Sequence, residues 1–288
     1  MVVLASRNHK MNLEAMEATG CLTVPLDVSS IESVRDVFAE IRPNVVIHAA
    51  ATKFVDLSER APMECIDINV TGSQNVARVA IEANTSVVLG ISTDKAAPPV
   101  MNTYALSKAL MERMFCTLDS KAATSFACVR FGNIAWSTGS VLPQWKAMHE
   151  AGEIIRTTGP EMYRFFVSID EAVDVVRTGL EAIEEIHGKI LTRSLKVAQI
   201  KDLLDVWKET RGGSWTDAPR RLGDSDHEAL VGHAEAPYTR EVWHGGLLHF
   251  EISFNQPVED HLEGGITSEG AERFDRSELI RILEATRE

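Results

Sequence analysis

Short apolar runs alternate with amphipathic stretches through the first half of the chain, and this alternation constrains the fold more than any other feature. The apolar runs have the length of buried strands and cover residues 2–5, 22–26, 45–48, 87–91 and 125–130. The stretches at 31–41, 62–83 and 103–118 carry apolar residues at helical spacing. Strand–helix–strand repeats need right-handed crossovers, which build a mostly parallel sheet covered by helices. We therefore predict an α/β protein with a Rossmann-like parallel sheet.

The alternation of strand and helix patterns weakens after about Gly132, and the rest of the chain follows a different pattern. Helical patterns cover 141–152, 169–186 and 277–286, and another begins at Ile200. Between them, residues 212–270 are rich in Gly, Pro, His and acidic residues and show little periodicity. We predict a main domain over 1–168 and a small, loop-rich C-terminal lobe over 169–288, with the two interleaved.

Composition and charge exclude several classes of protein. The chain has 288 residues, 44% hydrophobic and 25% charged, with a net charge of −13, which argues against a nucleic-acid or anionic-membrane partner. No apolar run reaches the ~18 residues of a membrane span, and no signal peptide is recognisable, so we expect a cytoplasmic protein. The four cysteines lack metal-type spacing, which predicts free thiols and no metal site.

A glycine-rich phosphate loop is not found in the sequence. Dinucleotide-binding domains open with a strand, a glycine-rich turn and a helix whose N-terminus holds the pyrophosphate. Here Gly20 is the only glycine before Gly72. We therefore expect residues 2–5 to form the second strand of such a domain, with the first strand and its glycine-rich loop missing.

The residues with the clearest chemistry follow the predicted strand at 87–91. Thr93, Asp94 and Lys95 stand at its C-terminal end, where parallel sheets place reactive groups. Tyr104 and Lys108 are four residues apart at the start of a predicted helix and share one face. An ammonium close to a phenol favours the phenolate, so we expect the pKa of Tyr104 to be lowered. The alternatives without a catalytic role are a surface ion pair for Asp94 and Lys95 and a packing role for Tyr104.

Further motifs occur in a characteristic order along nearly the whole chain. They are Val46-Ile-His-Ala-Ala-Ala-Thr-Lys53, Glu59 with Pro62, Asn69-Val-Thr-Gly72, Ser92-Thr-Asp-Lys95, Tyr104 with Ser107-Lys108 and Glu112, Arg130-Phe-Gly-Asn133, Gly139-Ser-Val-Leu-Pro143, Met162-Tyr-Arg-Phe-Phe166 and Arg221-Leu-Gly-Asp-Ser-Asp-His-Glu228. With these motifs the chain resembles an extended short-chain dehydrogenase/reductase of the CapD-like polysaccharide-biosynthesis group. Within that group it is similar to UDP-N-acetylglucosamine 4,6-dehydratases. It departs from their pattern at Tyr163, usually threonine, and at Ser225, usually lysine.

The resemblance implies a redox-neutral loss of water from a nucleotide sugar. Tyr104 takes the proton of O4 while hydride leaves C4 for the nicotinamide, and Thr93 hydrogen-bonds O4. Lys95 removes the C5 proton, Asp94 protonates the departing C6 hydroxyl, and hydride returns to C6. Lys108 holds the cofactor ribose and tunes Tyr104. The product is a 4-keto-6-deoxy sugar.

The resemblance also implies binding residues and partners. For the cofactor, taken as NADP with NAD possible, they are Ser6, Arg7, Asp27, Val28, Ala49, Ala50, Ala51, Tyr104 and Lys108. For a UDP-linked sugar they are Lys53, Asn133, Arg164, Arg221 and Glu228. Arg7 favours NADP because a guanidinium matches the 2′-phosphate. Relatives pair through the helix that bears Tyr104, so we expect a homodimer or larger homo-oligomer.

The residues leave three alternatives to this 4,6-dehydratase interpretation open. Two of them, a dehydratase that also inverts C5 and a nucleotide-sugar epimerase, use related catalytic groups. A catalytically silent homologue that has lost its cofactor site would explain the missing glycine loop. The presence of Thr93, Asp94, Lys95, Tyr104 and Lys108 together argues against a silent homologue.

Overall fold

A computed structural model of the chain describes residues 1–285. Its strands are β1 (Val3–Ser6), β2 (Leu22–Pro25), β3 (Val45–His48), β4 (Val87–Ile91), β5 (Ser125–Arg130), β6 (Asn133–Ile134), β7 (Ile155–Thr158), β8 (Tyr163–Val167), β9 (Lys189–Arg193), β10 (Val197–Gln199), β11 (Trp215–Ala218), β12 (Ala229–Val231), β13 (Thr239–His244), β14 (Leu247–Ser253) and β15 (Ile266–Thr267). Its helices are α1 (His9–Thr19), α2 (Ile31–Ile41), α3 (Val55–Arg60), α4 (Pro62–Cys65), α5 (Gly72–Glu82), α6 (Thr103–Asp119), α7 (Val141–Glu150), α8 (Ile169–Glu181), α9 (Ile183–Ile186), α10 (Ile200–Arg211) and α11 (Arg276–Glu284). A π-helical segment (Ile66–Thr71) joins α4 to α5.

A six-stranded sheet forms the centre, in the order β13-β14-β9-β5-β4-β3. The ladders from β3 to β9 are parallel, and β14 and β13 add an antiparallel edge. One face packs against α2, α5 and α6 around residues such as Val76 and Phe115, and the other packs against α8 and α9 around Val175 and Ile186. A mostly parallel sheet buried on both faces confirms the predicted α/β class.

The two N-terminal strands form a sheet of their own. β1 pairs in parallel with β2, while β3 is hydrogen-bonded only to β4, and no ladder among residues 1–285 joins β1 to β3. Asn75 of α5 connects the two sheets by donating from Nδ2 to the carbonyls of Val28 (2.9 Å) and Ser29 (3.2 Å). Val45 and Ile47 of β3 are 47% and 48% exposed, which is unusual for a parallel strand. This edge of the molecule is therefore open.

Several elements differ from the sequence-based expectations. Residues 212–270, expected to be loop-rich, contain β11 to β15, and the β13–β14 hairpin belongs to the central sheet. Gly245 and Gly246 have φ of +58° and +77°, as a two-residue hairpin turn requires. Helix α1, which was not predicted, is capped by the Asn8 side chain and ends at Gly20. The predicted C-terminal helix is α11, and Thr286 of that prediction lies outside the described residues.

Candidate active site

The turn after β4 positions three of the predicted catalytic residues at the carboxyl end of the central sheet. The backbone N–H of Asp94 donates to the Phe131 carbonyl (3.0 Å), which ties the turn to the segment that follows β5. The Thr93 hydroxyl accepts a bond from the Lys95 backbone N–H and caps a short 3₁₀ turn. Backbone contacts therefore hold the turn in place, and the side chains are left to act chemically.

Four charged side chains from three segments meet at this turn. The Lys95 Nζ lies 3.0 Å from Asp94 Oδ1 and 3.6 Å from Glu228 Oε1, and Arg164 Nε lies 3.9 Å from the same Glu228 oxygen. Their side chains are between 0% and 16% exposed. Burial by itself lowers the pKa of Lys95, but the carboxylates of Asp94 and Glu228 outweigh it and raise that pKa. Burial raises the pKa of Glu228.

One oxygen of the Asp94 carboxylate lacks a hydrogen-bond partner. Oδ1 receives bonds from Lys95 Nζ (3.0 Å) and the Thr93 hydroxyl (3.0 Å), whereas the buried Oδ2 has none among the described residues. A buried carboxylate oxygen without a partner is costly, so this oxygen is free to accept a hydrogen bond from a bound ligand.

Tyr104 begins α6 beside this turn. Burial raises the pKa of Tyr104 to about 12, although the charge of Lys95 and a hydrogen bond with Thr93 lower it. The expected lowering by Lys108 is not found. The Lys108 Nζ contacts Met111 Sδ (3.5 Å), and burial lowers the pKa of Lys108 itself to about 8. Lys95, not Lys108, is therefore the cation that assists Tyr104 in this structure.

A buried amide joins α6 to the segment that follows β3. Asn69, in the π-helical segment, accepts from the Thr52 N–H (2.9 Å) and donates to the Thr52 carbonyl (3.0 Å) and the Ser107 hydroxyl (2.9 Å). Nearby, His48 Nε2 lies 2.9 Å from Ser73 Oγ, and burial lowers the pKa of His48 to about 3. The residues expected to line the cofactor are thus fixed relative to Tyr104.

The residues predicted for the adenosine end of the cofactor lie at the ends of β1 and β2. Ser6 Oγ donates to Asn12 Oδ1 (2.6 Å). Hydrogen bonds from Ser29 and the charge of Arg7 lower the pKa of Asp27. Arg7 and Asp27 line the same open cavity of about 600 Å³. Val28 is buried and its side chain packs closely on Gly72.

These residues fit part of a dinucleotide cofactor. Ala49, Ala50 and Ala51 leave room for a ligand at the end of β3, and the buried Lys108 amine suits the hydroxyls of a ribose. No glycine-rich strand–helix turn occurs among residues 1–285, so the part that would hold the pyrophosphate is not seen there.

The predicted substrate residues fall into two groups. Arg164 and Glu228 lie in the charged cluster with Lys95. The other three make no contact with that cluster: Asn133 donates to the Phe165 carbonyl (3.0 Å), Arg221 pairs with Asp224 (3.2 Å), and Lys53 has no ion pair or hydrogen bond among the described residues. Sequence reasoning missed Glu235, which pairs with the buried Arg130 and gave no motif signal.

Comparisons with known proteins show which family the chain belongs to. Residues 4–238 match the polysaccharide biosynthesis protein family. The chain is 37% identical over 217 residues to an uncharacterized membrane protein of Methanocaldococcus jannaschii (71% of the chain, 64% of that protein). It is 41% identical over 151 residues to the capsular polysaccharide biosynthesis protein CapD of Staphylococcus aureus (52% and 25%). It is 30% identical over 249 residues to the inverting UDP-N-acetylglucosamine 4,6-dehydratase of Campylobacter jejuni (83% and 72%). The chain thus spans less than two thirds of the first two relatives.

Solved structures show the same fold. Pen from Bacillus thuringiensis superposes with a TM-score of 0.87 at 23% identity, over 99% of this chain and 89% of that one. UDP-glucose 4-epimerase of Thermus thermophilus, solved with NAD, superposes with a TM-score of 0.64 at 18% identity, over 78% of this chain and 89% of that one.

Among residues 1–285, no helix has the length and apolar composition needed to cross a membrane. The resemblance expected from the motifs is confirmed: the chain belongs to the polysaccharide biosynthesis protein family and has the short-chain dehydrogenase/reductase fold of nucleotide-sugar epimerases and dehydratases.

Proposed function

We propose that the chain is a nucleotide-sugar 4,6-dehydratase that acts on UDP-N-acetylglucosamine. The observation that carries this proposal is the buried Asp94–Lys95 pair, with its unpartnered Asp94 oxygen, beside Thr93 and Tyr104. Elimination of water needs a base and an acid at neighbouring carbons, and this pair supplies both. The similarity to the Campylobacter jejuni dehydratase supports the choice of substrate.

The pair can prepare itself by moving one proton. Lys95 Nζ donates to Asp94 Oδ1 over 3.0 Å, so transfer along that bond yields a neutral amine and a protonated acid. In a buried site a neutral pair avoids the cost of two desolvated charges. The amine then takes the C5 proton, and the acid gives its proton to the C6 hydroxyl, which leaves as water. When hydride returns to C6, the Lys95 ammonium gives a proton, exchangeable with solvent, back to C5, and the O4 proton held by Tyr104 replaces the one that left with the water.

Tyr104 acts before that transfer. To take the O4 proton it must be a phenolate, which burial disfavours and the charged Lys95 favours. The ammonium form of Lys95 therefore suits the first step, and its amine form suits the second. Thr93, which hydrogen-bonds Tyr104, is placed to orient O4.

The proposed cofactor is NADP, which when bound would supply a hydride acceptor for C4 and a hydride donor for C6. Lys108 would hold the ribose on its nicotinamide side, and Ala49–Ala51 would lie beside its pyrophosphate. Ser6, Arg7, Asp27 and Val28 would surround its adenosine side. Arg7 supports NADP over NAD because its guanidinium can pair with a 2′-phosphate.

For the substrate we propose the cations Lys53, Arg164 and Arg221 and the polar groups of Asn133 and Glu228. Guanidinium groups bind a diphosphate in two-pronged geometry. In this proposal residues 1–168 mainly bind the cofactor and residues 169–288 mainly bind the sugar nucleotide.

We also propose a homodimer formed through α4 and α6. Met63 and Ile66 are 70% and 41% exposed, and Leu106 and Leu110 of α6 are 57% and 50% exposed. Exposed apolar side chains on adjacent helices favour association with a second copy. Light scattering of the wild type and of Leu106→Glu tests this, since the variant is expected to be monomeric.

The function is tested by incubating the protein with UDP-N-acetylglucosamine in D₂O, with and without added NADP. The expected product has lost one water, is a 4-keto-6-deoxy sugar by NMR and carries deuterium at C5. The configuration at C5 distinguishes an inverting from a retaining enzyme.

The alternative is 4-epimerisation, supported by 34% identity over 220 residues to UDP-glucose 4-epimerase of Rickettsia conorii (73% of the chain, 61% of that protein). It predicts UDP-N-acetylgalactosamine with no loss of water and no deuterium at C5. No product although the cofactor is bound would contradict both proposals for this substrate. No product and no bound cofactor would favour the silent homologue, which has lost its cofactor site.

A further inference from the structure

An ion triad with side chains at most 9% exposed lies next to the turn at Thr93–Lys95, called the catalytic turn below. Arg130, at the end of β5, has no exposed surface and pairs in two-pronged fashion with Glu112 of α6 (3.0 and 2.7 Å) and with Glu235 (2.8 and 2.9 Å). Such a triad need not stabilise a fold, because removing three charges from water is costly. A role in holding specific groups in place would explain its presence.

The triad fixes the turn over residues 230–235. Arg130 Nη1 also donates to the Leu230 carbonyl (2.8 Å), and Glu235 Oε2 also accepts from the Gly232 N–H (2.8 Å). Gly232 in turn packs so closely on Pro98 that an added Cβ would lie 2.3 Å from the Pro98 carbonyl oxygen. The turn is thus fastened to α6 and to the segment that follows Lys95.

Glu228 stands two residues before Leu230 on the same segment. Its carboxylate lies 3.6 Å from Lys95 Nζ, and its backbone N–H donates to Ser268 Oγ (3.0 Å). Ser268 also donates its N–H to the Glu228 carbonyl (2.8 Å), and Tyr163 and Arg164 bond to the carbonyls of Ser225 and Asp226 on the N-terminal side of Glu228. The triad holds the other side of Glu228, at Leu230 and Gly232, next to the short β12–β15 pairing.

We propose that Glu235 is a positioning residue that, through Arg130, holds Glu228 beside Lys95 and so controls how readily Lys95 gives up its proton. The inference rests on the proposed function, in which Lys95 must change from ammonium to amine. A carboxylate at 3.6 Å favours the ammonium. The other charged or titratable groups facing Lys95 are Asp94, Arg164 and Tyr104, and none of them contacts the triad.

The variant Glu235→Gln tests this. A glutamine places an NH₂ group against the Arg130 guanidinium, so one of the paired bonds is lost and the turn is loosened. The matched control is Glu251→Gln: the Glu251 side chain is 2% exposed and also binds two cations, Lys189 and Arg240, but it does not contact the triad or Lys95.

The main readout does not need turnover. Lysines are ¹³C-dimethylated, the Lys95 signal is assigned with Lys95→Arg, and its titration is followed by NMR. In Glu235→Gln the proton affinity of Lys95 is expected to fall about tenfold, which moves its midpoint down by about one pH unit. Glu251→Gln is expected to titrate like the wild type. Glu228→Gln, which leaves the triad intact, is expected to reproduce the shift.

Activity provides the second readout. If the chain is a dehydratase, the pH profile of kcat for Glu235→Gln moves to lower pH together with the Lys95 titration. Equal titration in the wild type and Glu235→Gln, or equal shifts in Glu235→Gln and Glu251→Gln, would overturn the proposal. Circular dichroism checks that each variant folds. If Glu235→Gln does not fold, it is replaced by Glu235→Asp, which keeps the negative charge but shortens the side chain. A shifted Lys95 in a chain without dehydratase activity would contradict the proposed function and leave the positioning role standing.

Discussion

The turn at Thr93–Lys95, proposed to be catalytic, and the β1–β2 sheet differ in how firmly neighbouring segments hold them. Around the turn, Asp94 is buried, the side chains of Lys95 and Glu228 are only 16% and 10% exposed, and backbone bonds and ion pairs from three segments hold all three. The β1–β2 sheet shares no ladder with the central sheet among the described residues, and Val45 and Ile47 on the facing edge are half exposed. The groups for chemistry are therefore pre-organised, whereas the groups proposed for adenosine lie on a loosely attached unit.

This difference makes catalysis and cofactor binding separable by mutation. Changes at the turn should remove chemistry and leave the rest of the molecule intact. Changes at the β1–β2 unit should alter local stability and cofactor preference and leave the turn intact.

Replacing the proposed base should have the largest effect. Lys95→Met removes the group that takes the C5 proton, and general-base catalysis contributes roughly 10²–10⁴-fold. Product formation from UDP-N-acetylglucosamine is expected to fall by that factor. UDP affinity measured by calorimetry is expected to stay within about threefold of the wild type, or about 0.7 kcal/mol, because Lys95 is not among the residues proposed to bind the nucleotide.

The control for this experiment is Lys196→Met. Lys196 is also paired with two carboxylates, Glu272 and Glu278, but it lies away from the turn. It should keep wild-type activity. Retained turnover in Lys95→Met would exclude Lys95 as the base at C5.

The sequence predicts those features of the fold and the site that depend on residues close together in the chain, and it misses those that depend on residues far apart. The strands at 45–48, 87–91 and 125–130 and the helix that carries Tyr104 and Lys108 follow from local periodicity and spacing, and the structure has them. The predicted effect of Lys108 on Tyr104 is not found. The ion pair of Arg130 with Glu235 joins residues 105 positions apart, and no local pattern indicates it. The pKa of Tyr104 was expected to fall beside a lysine charge, but burial, which no local spacing reveals, raises it.

The hairpin of β13 and β14 was missed for a different reason. Its alternation and its Gly245–Gly246 turn are present in the sequence, but the surrounding glycine, proline and histidine residues obscure them. The open edge at β1 agrees with the lack of a glycine-rich loop in the sequence. The attachment of the N-terminal unit (β1, α1 and β2) through Asn75 depends on a bond between residues 47 positions apart, which local sequence patterns cannot predict.

A second prediction concerns the pH dependence of stability near the turn. Burial lowers the pKa of Lys108 to about 8, whereas an exposed lysine titrates at 10.5. Below pH 8 the folded protein holds a disfavoured ammonium, which costs about 3 kcal/mol at 1.36 kcal/mol per pH unit. The cost declines as the pH rises from 8 to 10.5, where both states become neutral.

Lys108→Met should therefore be more stable than the wild type by up to about 3 kcal/mol at pH 7, with the difference shrinking towards pH 10.5. Urea unfolding at pH 7, 8, 9 and 10 measures this difference. Tyr104 titrates in both proteins, so its contribution cancels. A difference that does not change with pH would show that Lys108 is solvated in the folded protein.

A third prediction weakens the attachment of the N-terminal unit. Asn75→Ala removes the donor to the Val28 and Ser29 carbonyls, and loss of buried hydrogen bonds costs about 1–2 kcal/mol. Hydrogen exchange should accelerate in β1, α1 and β2 and stay unchanged in β4, β5 and α6. Gln74→Ala, an exposed neighbour on the same helix, is the control. Equal acceleration in all these elements would mean that the two sheets unfold as one unit.

The smallest expected effect is on the choice of cofactor. Arg7 lies in the loop after β1 and contributes to lowering the pKa of Asp27, so its charge reaches the cavity that both residues line. Arg7→Ala should reduce the preference for NADPH over NADH by about tenfold, since a paired phosphate contact at an exposed site contributes about 1–2 kcal/mol. Fluorescence titration with each reduced cofactor measures that ratio, with Lys10→Ala as a control that removes a charge 86% exposed on the adjoining helix. An unchanged ratio in Arg7→Ala would place the 2′-phosphate elsewhere. The loosely attached unit would then contribute to cofactor binding by shape and not by charge.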